Sequence, residues 1–136
     1  MKRYIKIFIS LIFILTFSSC LNNKKISLPE AKDLVKIDLI DNKTKLSSEI
    51  SDKDKISNFI EDIKVNSKAT SKESINDQPT NVDTYIIIKF YHKNSNGGTS
   101  IGYVYKKKNT CYIEQPYSGI WKLKDKTFYN IQNYLD

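Results

Sequence analysis

Residues 85–91 read Tyr85-Ile86-Ile87-Ile88-Lys89-Phe90-Tyr91, an apolar run interrupted by one lysine. A short, nearly continuous apolar run is the pattern of a strand covered on both faces, so this segment is placed at the centre of a sheet. Downstream, Asn94-Ser95-Asn96-Gly97-Gly98 supplies hairpin-turn residues. Ile101 to Tyr105 then gives a strand, Lys106-Lys107-Lys108-Asn109 a turn, and Cys111 to Gln115 a further strand. Pro116 cannot donate to a ladder from its own position, and Ile120-Trp121-Lys122-Leu123 reads as a short extended piece. Asp125 is expected to cap a last helix that turns Phe128, Ile131 and Leu135 inward.

Upstream, Val35, Ile37 and Leu39 alternate with Lys36 and Asp38, the period of a half-buried strand. Asp41-Asn42-Lys43 reads as a turn, and Leu46, Ser48 and Ile50 share one side of a second strand, which makes the pair a hairpin. Ser51 or Asp52 can cap a helix, because a side-chain oxygen there accepts an orphan amide hydrogen. Ile56, Phe59, Ile60 and Ile63 form one helical stripe, which is expected to end near Val65. Residues 66–82 form a 17-residue polar stretch with no periodicity. Loops of that length are uncommon in compact domains unless functional or disordered. The order is β-β-α-β-β-β-α. Strands joined by short turns pair antiparallel, and two amphipathic helices need a surface to cover. The expected fold is therefore α+β, an antiparallel sheet of about five strands with two helices on one face.

The start of the chain carries an address. Lys2, Arg3 and Lys6 precede an apolar run from Ile7 to Phe17 that only Ser10 and Thr16 interrupt, followed by Ser18, Ser19 and Cys20. Charged end, apolar stretch and small residues at the cut are the three parts of a secretory signal. The run is too short to span a bilayer, which needs about 20 apolar residues. Phe17-Ser18-Ser19-Cys20 resembles a bacterial lipobox, with Phe17 where the pattern most often has leucine. The resemblance implies a diacylglyceryl group on Cys20 and cleavage just before it. Residues 1–19 are accordingly expected to be a removed signal peptide, 20–31 a lipidated tether, and 32–136 the domain. The expected location is the outer face of the cytoplasmic membrane, with an uncleaved signal anchor as the alternative.

Charge and composition narrow the function. Lys+Arg is 22 against 15 Asp+Glu, a net +7. Without Lys2, Arg3 and Lys6 the balance is 19 against 15, or +4. Arg3 is the only arginine, so the planar fork that reads phosphates and bases is missing and nucleic acid is not an expected partner. One His and two Cys, one of them assigned to lipid, argue against a zinc site and a disulfide framework. Neither a metal nor an organic cofactor is expected. Cys111 sits in the alternating stretch 110–114, where a buried small hydrophobe is the ordinary reading, and His92 lies on a different strand.

One segment stands apart. Tyr112-Ile113-Glu114-Gln115-Pro116-Tyr117-Ser118-Gly119-Ile120-Trp121 gathers two Tyr, the only Trp, a Glu and a Gln around a Pro/Gly break. Tyr and Trp are over-represented among interface anchors, and Glu and Gln beside them offer hydrogen bonds to a sugar or a peptide backbone. The alternative is that Trp121 and Ile120 plug the core and Tyr117 is the exposed member. The stretch Ala69 to Ile86 and the stretch Glu114 to Ile120 resemble two motifs of a family of small lipoproteins from low-GC Gram-positive bacteria, domain of unknown function 5301. The resemblance is expected to span about Leu34 to Asp136. It implies a lipoprotein α+β domain without an assigned activity and supports the long loop and the Glu-Gln-Pro-Tyr turn belonging together. Two such unusual segments in one short domain lead to the expectation that they wall a groove at one end of the sheet.

The expectation is thus a monomeric, lipid-anchored binding or accessory module for an envelope protein, a peptide or a cell-wall polymer. Its expected contacts are Asp77, Glu114, Gln115, Tyr117 and Trp121. One alternative is a small secreted hydrolase using two of Asp77, Asp83 and Glu114 as acid and base, which needs a carboxylate pair roughly 5–9.5 Å apart. Another is an immunity or inhibitor lipoprotein.

Overall fold

The structure is a computed structural model that describes residues 24–94 and 98–136; the signal segment, Cys20 and the middle of the 94–98 turn lie outside them. The strands are β1 (Leu34–Asp41), β2 (Ser47–Ile50), β3 (Ser67–Ala69), β4 (Ile86–His92), β5 (Thr99–Lys107), β6 (Thr110–Gln115) and β7 (Gly119–Leu123). The helices are α1 (Lys53–Asn66) and α2 (Asp125–Gln132). All seven strands join one antiparallel sheet in the order β2-β1-β4-β5-β6-β7-β3. The α+β class stands, and the expected strand count of about five is corrected to seven. The extended piece at 120–123 is a full partner of β6, and Ser67–Ala69 adds a strand that the sequence hides.

Register explains the core. Ile37 faces Phe90, Leu39 faces Ile88, Ile86 faces Val104, and Ile113 faces Trp121. These residues therefore project from the same face, where they pack with Ile56, Phe59, Ile60 and Ile63 of α1 and with Phe128 and Ile131 of α2. Asp52 caps α1, its carboxylate accepting the Lys55 amide at 2.9 Å. Asp52→Ala is expected to cost about 1 kcal/mol, read as a lower urea midpoint with an unchanged slope. At α2 the expected cap is corrected. Lys124 occupies the cap position without a side-chain bond, and Asp125 is the first helical residue, its carboxylate beside the Cys111 thiol.

The path of the chain accounts for the long polar stretch. β1 and β2 form a hairpin at one edge, and α1 carries the chain beneath the sheet to β3 at the other edge. β4 lies four strand spacings back from β3, about 19 Å at the usual separation. Residues 70–85 make that return over the second face of the sheet. The stretch is a crossover whose length the strand order dictates.

The domain also begins earlier than residue 32. Ile26 and Leu28 belong to the core, Gln115 Nε2 donates to the Ser27 carbonyl at 2.7 Å, and Trp121 Nε1 donates to the Lys24 carbonyl at 2.8 Å. Residues 24–30 are therefore packed chain, which corrects the expected tether. The alternation of Ile26 and Leu28 with polar neighbours is the signal that marks them, weak because it has only two members.

Candidate functional site

The crossover is fastened to the second face by one buried carboxylate. Glu114 alternates with Ile113 on β6, so it points away from the helices. Ser74 Oγ donates to its Oε1 at 2.6 Å, and the Tyr105 hydroxyl donates to its Oε2 at 3.0 Å. Glu114 is 5% exposed and Ser74 is buried too. Burial, with the Glu114 carboxylate adjacent, holds the Tyr105 hydroxyl well above its ordinary pKa, so it remains a donor. Tyr103 stacks edge-on against Tyr85 at 5.4 Å between ring centres. Burial raises its hydroxyl pKa, as do the neighbouring Tyr85, Asp77 and Glu114.

Beyond this latch, the loop and the β6–β7 turn stand opposite each other. Gln115-Pro116-Tyr117-Ser118 closes with the Ser118 amide donating to the Gln115 carbonyl at 3.0 Å. Tyr117 occupies the left-handed region at φ 59°, a conformation that bulky side chains rarely adopt. Its ring is 68% exposed and its hydroxyl donates to Asp77 Oδ1 at 2.8 Å. Ile75, 69% exposed, rises from the loop. A cleft of about 360 Å³ is lined by residues 69–75 on one side, residues 117–121 on the other, and Lys24. An aliphatic and an aromatic side chain thus stand exposed beside hydroxyls and two lysines, Lys24 and Lys72.

Residues 22–122 match the family DUF5301, described as "Domain of unknown function (DUF5300)". The chain belongs to that family. The DUF5301 match takes in the packed segment 24–30, the crossover and the whole cleft, and it ends before α2. The span expected from the sequence, Leu34 to Asp136, is corrected at both ends. The fold resembles that of a protein from Ruminococcus gnavus solved by NMR, with TM-score 0.61 and 24% identity over 76% of this chain and 98% of that one. At that identity the likeness speaks for the fold. A search of curated proteins returned no match.

The expected contact residues of the DUF5301 domain separate into two groups. Tyr117 and Asp77 come together at the exposed mouth of the cleft. The other three carry bonds within the fold, Glu114 and Trp121 as buried side chains and Gln115 as a half-buried one. Glu114 spends both oxygens on the latch. Gln115 holds residue 27 through its Nε2. Trp121 is 2% exposed, and a Cβ on Gly119 would stand 3.0 Å from its ring, so the glycine leaves room for the indole. Lys24 and Ile75 are cleft residues that the sequence reading missed. Lys24 fell in the supposed tether, and Ile75 was a lone apolar residue in a polar stretch.

Of the carboxylates expected of a hydrolase, Asp77 accepts from the Tyr117 hydroxyl. Glu114 is sealed under the loop, and Asp83 lies at the loop's exit, where Asn42 Nδ2 holds its carbonyl at 3.1 Å. A groove between the helices, lined by Phe59, Asp62, Asn130 and Tyr134, has a volume of about 450 Å³. Its Asp62 carboxylate already accepts from Asn66, Thr127 and Asn130, so that acid clamps the helices together. Among the described residues no cluster of His, Cys, Asp or Glu is arranged to hold a metal ion. His92 is half-buried and shares a 2.7 Å hydrogen bond with Ser100 Oγ. Cys111 is fully buried, and burial, with Asp125 beside it, pushes its thiol up to about 11. At pH 8 the thiol is neutral and covered. Iodoacetamide is therefore expected to leave Cys111 unmodified in the folded protein and to alkylate it in denaturant, as read by intact mass.

Proposed function

We propose that the protein is a lipoprotein of the outer face of the cytoplasmic membrane, anchored through Cys20, and that the cleft between residues 69–75 and 117–121 is its binding site. Its partner is an envelope protein, a peptide or a cell-wall polymer. The observation that carries this reading is Tyr117, an exposed aromatic kept in a left-handed turn and aimed by Asp77 across a cleft. A turn that served the fold alone is made more easily with glycine at that position. Backbone strain persists where the surroundings fix it, and it collects at ligand sites.

That contrast supplies the test. A photo-crosslinking side chain placed at Ile75 in intact cells is expected to give a discrete adduct, and the same group at Val35, exposed outside the cleft, is expected to give none. Tyr117→Gly is expected to fold with undiminished stability while losing the Ile75 adduct. Equal adducts at both positions, or an adduct unchanged in Tyr117→Gly, would refute the site. Attachment through Cys20 is read separately, from the mass of the mature N-terminal peptide.

A further inference from the structure

The chain enters the domain at the edge formed by β3 and β7. Lys24 packs against Trp121, with its ammonium 6.0 Å from the centre of the ring and donating to the Ser118 carbonyl. Only three residues separate Lys24 from Cys20, so the two lie within about 14 Å of each other even if the connection is fully extended. With residues 24–30 packed, the lipid has no long leash.

The same edge gathers cations. Lys68 of β3 stands directly opposite Lys122 of β7, and like charges in that position weaken a sheet. Lys122 in turn faces Tyr112 on β6. Lys72 reaches the same tyrosine, its ammonium 3.2 Å from the hydroxyl and 4.4 Å from the ring centre. The hydrogen bond from Lys72, with Lys122 nearby, lowers the Tyr112 pKa, as a concentration of positive charge does. All three lysines and Lys24 are exposed. Among the described residues lining the cleft, Glu73 alone is acidic. A cross-strand lysine pair beside two more lysines, none of the four in an ion pair among the described residues, is a poor arrangement for stability and a good one for an anionic plane.

We propose that the β3–β7 edge rests on the anionic phospholipid headgroups of the bilayer that holds the Cys20 lipid, which places the mouth of the cleft at the membrane surface. The inference rests on the lipoprotein reading above. Chain length and charge point to the same occupant: the reach from Cys20 keeps the edge near the surface, where each lysine is drawn to anionic lipid and acyl anchoring is reinforced by a basic patch. The partner bound in the cleft is then met at the plane of the bilayer.

The test uses the lipidated protein extracted from its own membranes and reconstituted into vesicles of phosphatidylcholine with or without phosphatidylglycerol. A spin label is attached at Ser71→Cys, an exposed site on the basic edge, or at Ser47→Cys on β2, the opposite edge. Cys111 is buried and does not compete for label. On phosphatidylglycerol vesicles the label at residue 71 is expected to be shielded from an aqueous nickel chelate, and on pure phosphatidylcholine to be open. The label at residue 47 is expected to be open on both. Lys68→Glu/Lys72→Glu/Lys122→Glu is expected to lose the shielding, and the matching Lys→Arg variant to keep it. Equal exposure of residue 71 on the two vesicles would overturn the proposal. Shielding in intact cells without shielding on vesicles would overturn it in favour of an anionic wall polymer. Failure of the lipoprotein reading shows itself differently, as label taken up by Cys20 in the parent chain, and it removes this proposal as well.

Discussion

Trp121→Ala is expected to lower the unfolding free energy by about 3–5 kcal/mol, the range for deleting a buried aromatic ring. Against a total of about 5–15 kcal/mol for a domain, that loss leaves the protein marginal or unfolded at 37 °C. The magnitude follows from position. Trp121 pairs with Ile113 on one side and Ala69 on the other, and Gly119 is vacated to admit its ring. The indole also anchors the entry of the chain through its bond to the Lys24 carbonyl. Trp121→Phe separates these contributions. It keeps most of the packing, loses the bond at a cost of about 1 kcal/mol, and is expected to raise amide exchange at Ile26 and Leu28. Urea unfolding and hydrogen exchange read the two effects. A Trp121→Ala variant as stable as the parent would mean that the indole is a surface contact.

Glu114→Ala is the second large effect, expected at about 2–4 kcal/mol, because two buried hydroxyls lose a charged acceptor at once. Its signature is regional. Glu114 alternates with the core residue Ile113 and bonds Ser74 of the crossover, so the cost falls on the crossover, and limited proteolysis is expected to cut within residues 70–82 where the parent resists. Ser74→Ala removes one of the two donors and is expected to be milder. The double variant should cost less than the sum of the singles, since the two residues share one bond. Additive costs would show that the latch does not hold the loop.

These two residues mark where sequence reading succeeded and where it stopped. The run at 85–91, the stripe of α1 and the hairpins of the meander were legible because period and turn chemistry act over a few residues. β3 was hidden because Ser67-Lys68-Ala69 has no pattern and is held by backbone pairing to a strand some fifty positions away. Without β3, nothing indicates that the polar stretch must cross the second face, and Glu114 reads as a surface acid. Its partner Ser74 sits 40 residues earlier. Tyr117 was legible as exposed because Pro116 and Gly119 fix a turn around it. Its meeting with Asp77 follows from the crossover, whose course depends on strand order.

The strand order also sets how the chain finds its fold. Residues 86–123 form a meander whose strands each pair with the next in sequence, so they can close early at little entropic cost. The β1–β2 hairpin and β3 attach to opposite sides of that meander, and α1 joins them. Docking of either side is therefore expected to shorten the search for the other. Substitutions in β5 and β6 are then expected to slow folding, whereas those in β2 and β3 speed unfolding. Local opening near residues 67–82 would free the cleft wall while the meander and the β1–β2 hairpin stay paired.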